Sequence, residues 1–356
     1  MYAKFGINPI FATMQKKFIP FVLSLMLITA SKSQIGGSGV FQILESPLHA
    51  RAMAFGGYLI AQPVSDIQFA SSNPALLNPT LHKNYGLSYG TLITGVTNGG
   101  AAFGYSKGIH NYSIHAQYVD YGTMKAFDAG QNPMGTVSAN ETKITLGYSR
   151  EIVPRLTVGA HLGFVYSVLE PYVSNGIFSN LGFHYSSKDT LLQMGFVIKN
   201  MGFMNNAYRN AEREPLPFNM QLGVAYKPQH MPVRFHLALH DLQKFDITYN
   251  QYLSSGQIDL NGNEVISKEA NFGEKLMRHF NLGLELILGK HFSILGGYND
   301  QRRVELAPEQ QKGTAGFSWG FRIKTLNYHI TYGSASYFPG FTSNMFSLSL
   351  IPSFFR

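Results

Sequence analysis

From residue 85 onward, apolar side chains recur at every second position in runs of nine to thirteen residues, and that period restricts the fold more than any other feature of the chain. In residues 156–168, Leu156, Val158, Ala160, Leu162, Phe164, Tyr166 and Val168 alternate with Thr157, Gly159, His161, Gly163, Val165 and Ser167. Phe218, Met220, Leu222, Val224 and Tyr226 repeat the pattern, as do the runs 280–288 and 315–323. Side chains two apart share one face of a strand, so each run carries an apolar face and a face of Gly, Ser, Thr, His and Asn. The lengths suit tilted strands that cross a bilayer.

Fourteen such segments are expected, at 85–94, 99–107, 110–120, 142–150, 155–168, 177–186, 190–199, 218–226, 233–242, 278–288, 291–299, 312–323, 326–333 and 345–352. An even count lets an antiparallel sheet close on itself. The connections at 108–109, 151–154, 187–189, 227–232, 289–290 and 324–325 are short. Those at 121–141, 169–176, 200–217, 243–277, 300–311 and 334–344 are longer, with the short turn 95–98 as the one departure. Short periplasmic turns opposite long extracellular loops place both termini in the periplasm. A soluble β-sandwich also alternates, but it predicts shorter strands, no such loop rhythm and a polar outer face. Lipid offers no hydrogen bonds, so strands in a bilayer must close. The expected fold is all-β: a 14-stranded antiparallel transmembrane β-barrel.

Before the barrel, Lys16 and Lys17 precede an apolar stretch from Phe18 to Ala30 and the small-residue pattern ending at Ser33. That order is a secretory signal peptide over residues 1–33, too short in its apolar part to be a transmembrane helix; translation from Met14 would bring the lysines close to the start. The absence of Cys removes disulfides, thiolate sites and a lipoprotein anchor. A net charge of +8 is scattered, without a five-residue block of like charge, which argues against nucleic acid and for a mild bias toward anionic surfaces such as lipopolysaccharide. The 36 Gly, 20 Tyr and 27 Phe suit strands facing membrane lipid. Barrel proteins commonly end on an aromatic residue, whereas here Phe354 and Phe355 precede Arg356.

Residues 34–84 break the period. They hold several Gly and Pro, a short helix near 46–55 and apolar side chains that require burial, so the segment is expected inside the 85–356 barrel as a plug. The inward polar face would receive His115, His161, Arg234, His236, His240, Glu285, Arg322 and His329. These read either as a ligand or proton path, or as a polar lumen satisfied by the plug. His236 and His240 would form a zinc face on a helix, but on a strand they lie about 13 Å apart. No G-x-S-x-G elbow and no phosphate loop occurs, so neither catalysis nor a cofactor is expected.

The segment Asp66 to Pro79, with Asn73, Pro74 and Ala75 at its centre, follows the turn Gly56-Gly57. Together with a signal peptide and fourteen strands, it resembles the FadL-like outer-membrane transporters, whose N-terminal segment forms a hatch in the lumen. A closer resemblance spans the mature chain and rests on Gln34 to Ile60, Asn73 to Pro79, Glu214 to Lys227 and Phe235 to Tyr249. These stretches are similar to the PorQ branch of that family, outer-membrane components of the type IX secretion system in Bacteroidetes. The resemblance implies a non-enzymatic outer-membrane component that anchors a PorZ-like surface partner of the attachment complex, with a sortase-like protease and a PorV-like barrel in the same assembly. Docking would fall to loops 200–217 and 243–277, with Arg209, Arg213, Asp246, Tyr249, Tyr252, Glu269 and Lys275 as candidate contacts. The FadL-like resemblance alone implies transport of hydrophobic small molecules instead.

Overall fold

A computed structural model of the chain describes residues 40–62, 66–92, 95–128, 130–208, 213–248, 270–306, 313–338 and 340–351. The signal peptide expected at 1–33 lies outside these residues, as does the C-terminal Phe354 to Arg356.

All fourteen expected strands are present. They are β1 (Tyr85–Thr91), β2 (Thr97–Lys107), β3 (His110–Phe127), β4 (Pro133–Val153), β5 (Leu156–Leu169), β6 (Tyr172–Ser186), β7 (Leu192–Asn206), β8 (Asn219–Tyr226), β9 (Val233–Leu239), β10 (Phe280–Leu288), β11 (Phe292–Asn299), β12 (Phe317–Lys324), β13 (Tyr328–Phe338) and β14 (Phe341–Leu350). Each pairs antiparallel with its sequence neighbours, and β1 closes the barrel on β14 in the register Tyr85↔Leu350 to Thr91↔Asn344. Closure leaves no edge, which is the condition for strands in lipid.

Burial follows the pleat. Along β1 the pattern is strictly exposed and buried by turns, with Leu87 and Tyr89 outside. Leu146, Leu162, Trp319 and Phe346, each more than half exposed, continue an apolar outer surface that only lipid would cover. Among the described residues no helix is long and apolar enough to cross a membrane, so crossing falls to the strands.

Several expected loops are strand instead. β3 and β4 run on to Phe127 and from Pro133, so 121–141 is mostly a projecting hairpin; 169–176 shrinks to 170–171, and 334–344 shrinks to 339–340. Beyond Asp120 the β3 pattern loses its alternation and both faces are exposed. A ladder that leaves the bilayer keeps its backbone bonds but no longer needs an apolar face, so the period fades where the strand does not.

Inside the barrel lies the segment 40–84, with α1 (Ala50–Ala54) and four short 3-10 turns, at Gln42–Leu44, Ile67–Ser71, Pro74–Leu76 and Pro79–Leu81. Phe41, Ile43, Met53, Phe55, Ile60, Ile67, Phe69, Leu76 and Leu81 are all essentially inaccessible, which is the plug expected from composition. On the side of the longer connections sit α2 (Phe272–Arg278), closed by a capping box between Asn271 and Glu274, and α3 (Asp300–Glu305), capped by Asn299.

Candidate functional site

The hatch is shaped by local chemistry at the residues singled out from its sequence. α1 ends at Phe55, and the Gly57 amide returns to the Ala52 carbonyl at 2.8 Å, a closure that needs Gly56 at φ +78° and Gly57 at φ +105°. Asp66 caps the turn Ile67–Ser71 by accepting from the Gln68 amide at 2.9 Å. Asn73 accepts from the Ala75 amide at 3.0 Å, and Pro74 occupies the first helical position, where its missing N–H costs nothing. The Asn73 side chain also donates to the Ile60 carbonyl at 3.1 Å and to Phe183 on β6 at 3.3 Å. Thus the Asn-Pro-Ala turn both folds the hatch and fastens it to the wall.

The wall accommodates the hatch by giving up side chains. A Cβ added at Gly159 would stand 2.5 Å from the Pro74 carbonyl carbon, and one at Gly297 would stand 2.7 Å from the Ala54 carbonyl oxygen. At Gly333 it would meet the Ala50 carbonyl oxygen, and at Gly195 the Ile60 carbonyl oxygen. Polar wall residues then satisfy hatch backbone that the close approach strips of water. Asn281 and Asn299 both donate to the Gly56 carbonyl, Ser318 to Ala54, Ser149 to Leu77 and Asn98 to Pro47, all at 2.8 to 3.2 Å. The glycine enrichment read as a lipid-facing feature therefore belongs in good part to the inner face.

One ionic cluster crosses from hatch to wall. Glu285 on β10 is fully buried; its Oε2 lies 2.7 Å from Arg51 on α1 and 2.6 Å from Arg234 on β9, while Oε1 lies 3.4 Å from Arg322 on β12. His236 Nε2 stands 3.9 Å from the same carboxylate, its ring against Phe55 at 4.4 Å. Four of the inward candidates are thus one group. Its anchor, Arg51, was missed in the sequence, although a lone cation in the apolar run around Ala50 and Met53 marked it. Removing one partner from a buried ion pair leaves an uncompensated charge, so this cluster holds the hatch in register.

The other candidates go elsewhere. His115 and His161 are buried with rings 5.9 Å apart; His115 Nε2 meets Ser113 Oγ at 3.0 Å, and His161 Nδ1 meets Asn180 at 3.1 Å. His329 is buried on β13. β9 ends at Leu239, so His240 lies just past the strand, stacked on Tyr58 at 4.2 Å and 2.6 Å from Asp241, away from His236. Of the loop candidates, Arg209, Tyr249, Tyr252 and Glu269 lie outside the described residues, and Arg213 is exposed. Lys275 on α2 pairs with Asp246 at 2.6 Å, and that hydrogen bond first of all holds the Asp246 carboxyl down to about 2.

The sequence matches no protein-family model and no curated protein. Among solved structures, it superposes on the CymD monoaromatic hydrocarbon channel with a TM-score of 0.51 at 13% identity, covering 86% of this chain and 97% of that one. The two chains share one fold. The Pseudomonas putida toluene transporter TodX gives a TM-score of 0.50 at 10% identity over 86% of this chain and 97% of its own. The deltaS2 mutant of TodX, a monoaromatic hydrocarbon channel, gives 0.52 at 11%. At identities this low the likeness is one of fold alone.

Proposed function

We propose that this chain is an outer-membrane transporter for hydrophobic small molecules, a FadL-like barrel whose hatch gates the lumen. The observation that carries the reading is the hatch itself, a segment folded and fastened inside a barrel that shares the fold of hydrocarbon channels over 86% of the chain. A barrel needed only as an anchor requires no internal segment whose carbonyls are met one by one by wall side chains. The reading involves no catalysis and no cofactor; lipid surrounds the barrel, and lipopolysaccharide is the anionic surface its scattered positive charge would favour. Expressed in cells that lack other such channels, the barrel should raise uptake of toluene or octanoate severalfold over the empty membrane. Equal uptake with and without it would remove the reading.

A second reading is favoured by the side with long connections. There Phe272, Phe245 and Leu276 stand exposed on a framework held by the Asp246–Lys275 pair, with Phe245 and Phe272 rings 5.3 Å apart. Ordered, exposed aromatics suit a protein contact, and the type IX resemblance supplies the candidates: a PorZ-like surface protein, with a sortase-like protease and a PorV-like barrel in the same assembly. If the intact barrel and a form lacking 243–277 recover the same partners from native membranes, docking does not use this loop.

A further inference from the structure

Between hatch and wall lies a cavity of about 40 Å³ that is lined by cationic and hydrogen-bonding groups. Lys143 projects into it from β4 and Lys199 from β7; His115, His161, Thr145 and Asn180 complete the wall side, and Glu45, Ser46, Ser71 and Ser72 the hatch side. Lys143 spends one N–H on the Ile43 carbonyl at 3.1 Å and keeps two. Lys199 makes no hydrogen bond to the described residues, and neither ammonium lies within 4.0 Å of a described carboxylate. Two further buried nitrogens, His115 Nδ1 and His161 Nε2, have no protein partner among the described residues.

The acids nearby, Glu141 and Glu45, act on these lysines through charge but form no direct ion pair with them. Glu141 is already engaged, with Oε2 taking the Ile43 amide at 2.7 Å and the Tyr121 hydroxyl at 2.9 Å, and Oε1 taking Ser167 at 3.2 Å. Glu45 lines the cavity and its charge acts on Lys199, but it makes no ion pair within 4.0 Å of either lysine. Backbone geometry builds the site on purpose. The β6–β7 register shifts between Ser179 and Leu181, and Asn200 sits at φ +60° with its amide on the Asn180 side chain at 2.8 Å. That bulge turns Asn200 inward beside Lys199, which already faces inward in line with Gln193, Gly195 and Val197.

We propose that this cavity binds a small oxyanion, a carboxylate or phosphate group, held by Lys143 and Lys199 and bridging wall to hatch. The volume suits a small, headgroup-sized ligand. Cations facing a cavity from two strands provide charge-assisted hydrogen bonds to an anion that enters, and the ring nitrogens of His115 and His161 beside them add donors in the tautomer that protonates them. The inference is independent of what the barrel transports, because an anion pinning the hatch would serve an anchor as well as a channel.

The test is calorimetric titration of the full detergent-purified barrel with inorganic phosphate, with acetate and with octanoate at fixed ionic strength, using Lys143→Met, Lys199→Met, Lys199→Arg and the exposed-turn variant Lys188→Gln. The expected result is saturable binding of at least one oxyanion. It should weaken about tenfold or more in each methionine variant, recover in part with arginine and stay unchanged in Lys188→Gln. Phosphate and acetate binding would identify a free anion as the source, and octanoate alone would identify the headgroup of an amphiphile. Folding is checked by the mobility shift between unboiled and boiled samples. No saturable binding, or binding that is equal in the methionine variants, overturns the proposal. Uptake experiments are separate, so loss of transport with retained binding would leave it standing.

Discussion

At the scale of single residues, Glu285 carries the largest consequence. Its carboxylate faces Arg51, Arg234 and Arg322 in a site with almost no water, so Glu285→Gln leaves three guanidinium groups uncompensated. A loss of about 3–5 kcal/mol is expected, read as a lower temperature at which the unboiled barrel loses its folded mobility, and Arg51→Met added to it should recover part of the loss. Asn73→Ala removes a turn cap and the donor to both Ile60 and Phe183. It should cost about 1–3 kcal/mol and increase hydrogen exchange at Ala75, while barrel strands stay protected. Asp246 titrates in the other direction from a buried cation. Its folded value is depressed to about 2, so its contribution is present above the unfolded carboxyl range and is lost as pH falls through about 2. A carboxyl NMR titration should find that midpoint, and Lys275→Met should return it toward the ordinary value.

Single residues also show where sequence reading stops. The inward positions of His115, His161, His236 and Glu285 follow from strand parity alone. Which of them meet does not, because Glu285 gathers partners from two other strands and the hatch, and strand parity carries no register between elements far apart in sequence. Lys143 and Lys199 face inward by the same parity, in line with Thr145 and Val197, but parity gives no sign that lysines from β4 and β7 share one cavity, and the register shift that brings Asn200 beside them leaves no mark in the period.

Among the elements, the strands were legible because lipid outside and hatch inside impose opposite chemistries on alternate positions. Their ends were not, since the hairpin of β3 and β4 continues where neither constraint acts. The hatch was legible as a plug from its apolar content, and its inner-wall glycines now have a steric reason. Gly333→Ala drives a Cβ into the Ala50 carbonyl, whereas Gly296→Ala meets nothing within 4 Å. The first should cost about 1–3 kcal/mol and loosen the hatch to protease, and the second should leave both stability and protection unchanged.

For the whole molecule, the fold joins two parts in one compact unit, a barrel closed by β1 and β14 and a hatch packed in its interior. Transport requires the hatch to move relative to the wall, and a chain without Cys permits a direct test. The Ala50 amide lies 2.8 Å from Ser347 Oγ on β14, so Ala50→Cys with Ser347→Cys places two thiols across the hatch–wall contact. The decisive measurement is toluene uptake by this double variant, oxidised and then reduced, in cells lacking other such channels. The account predicts that uptake falls to the empty-membrane level when the disulfide forms and returns on reduction. Uptake that is the same in both states would contradict it.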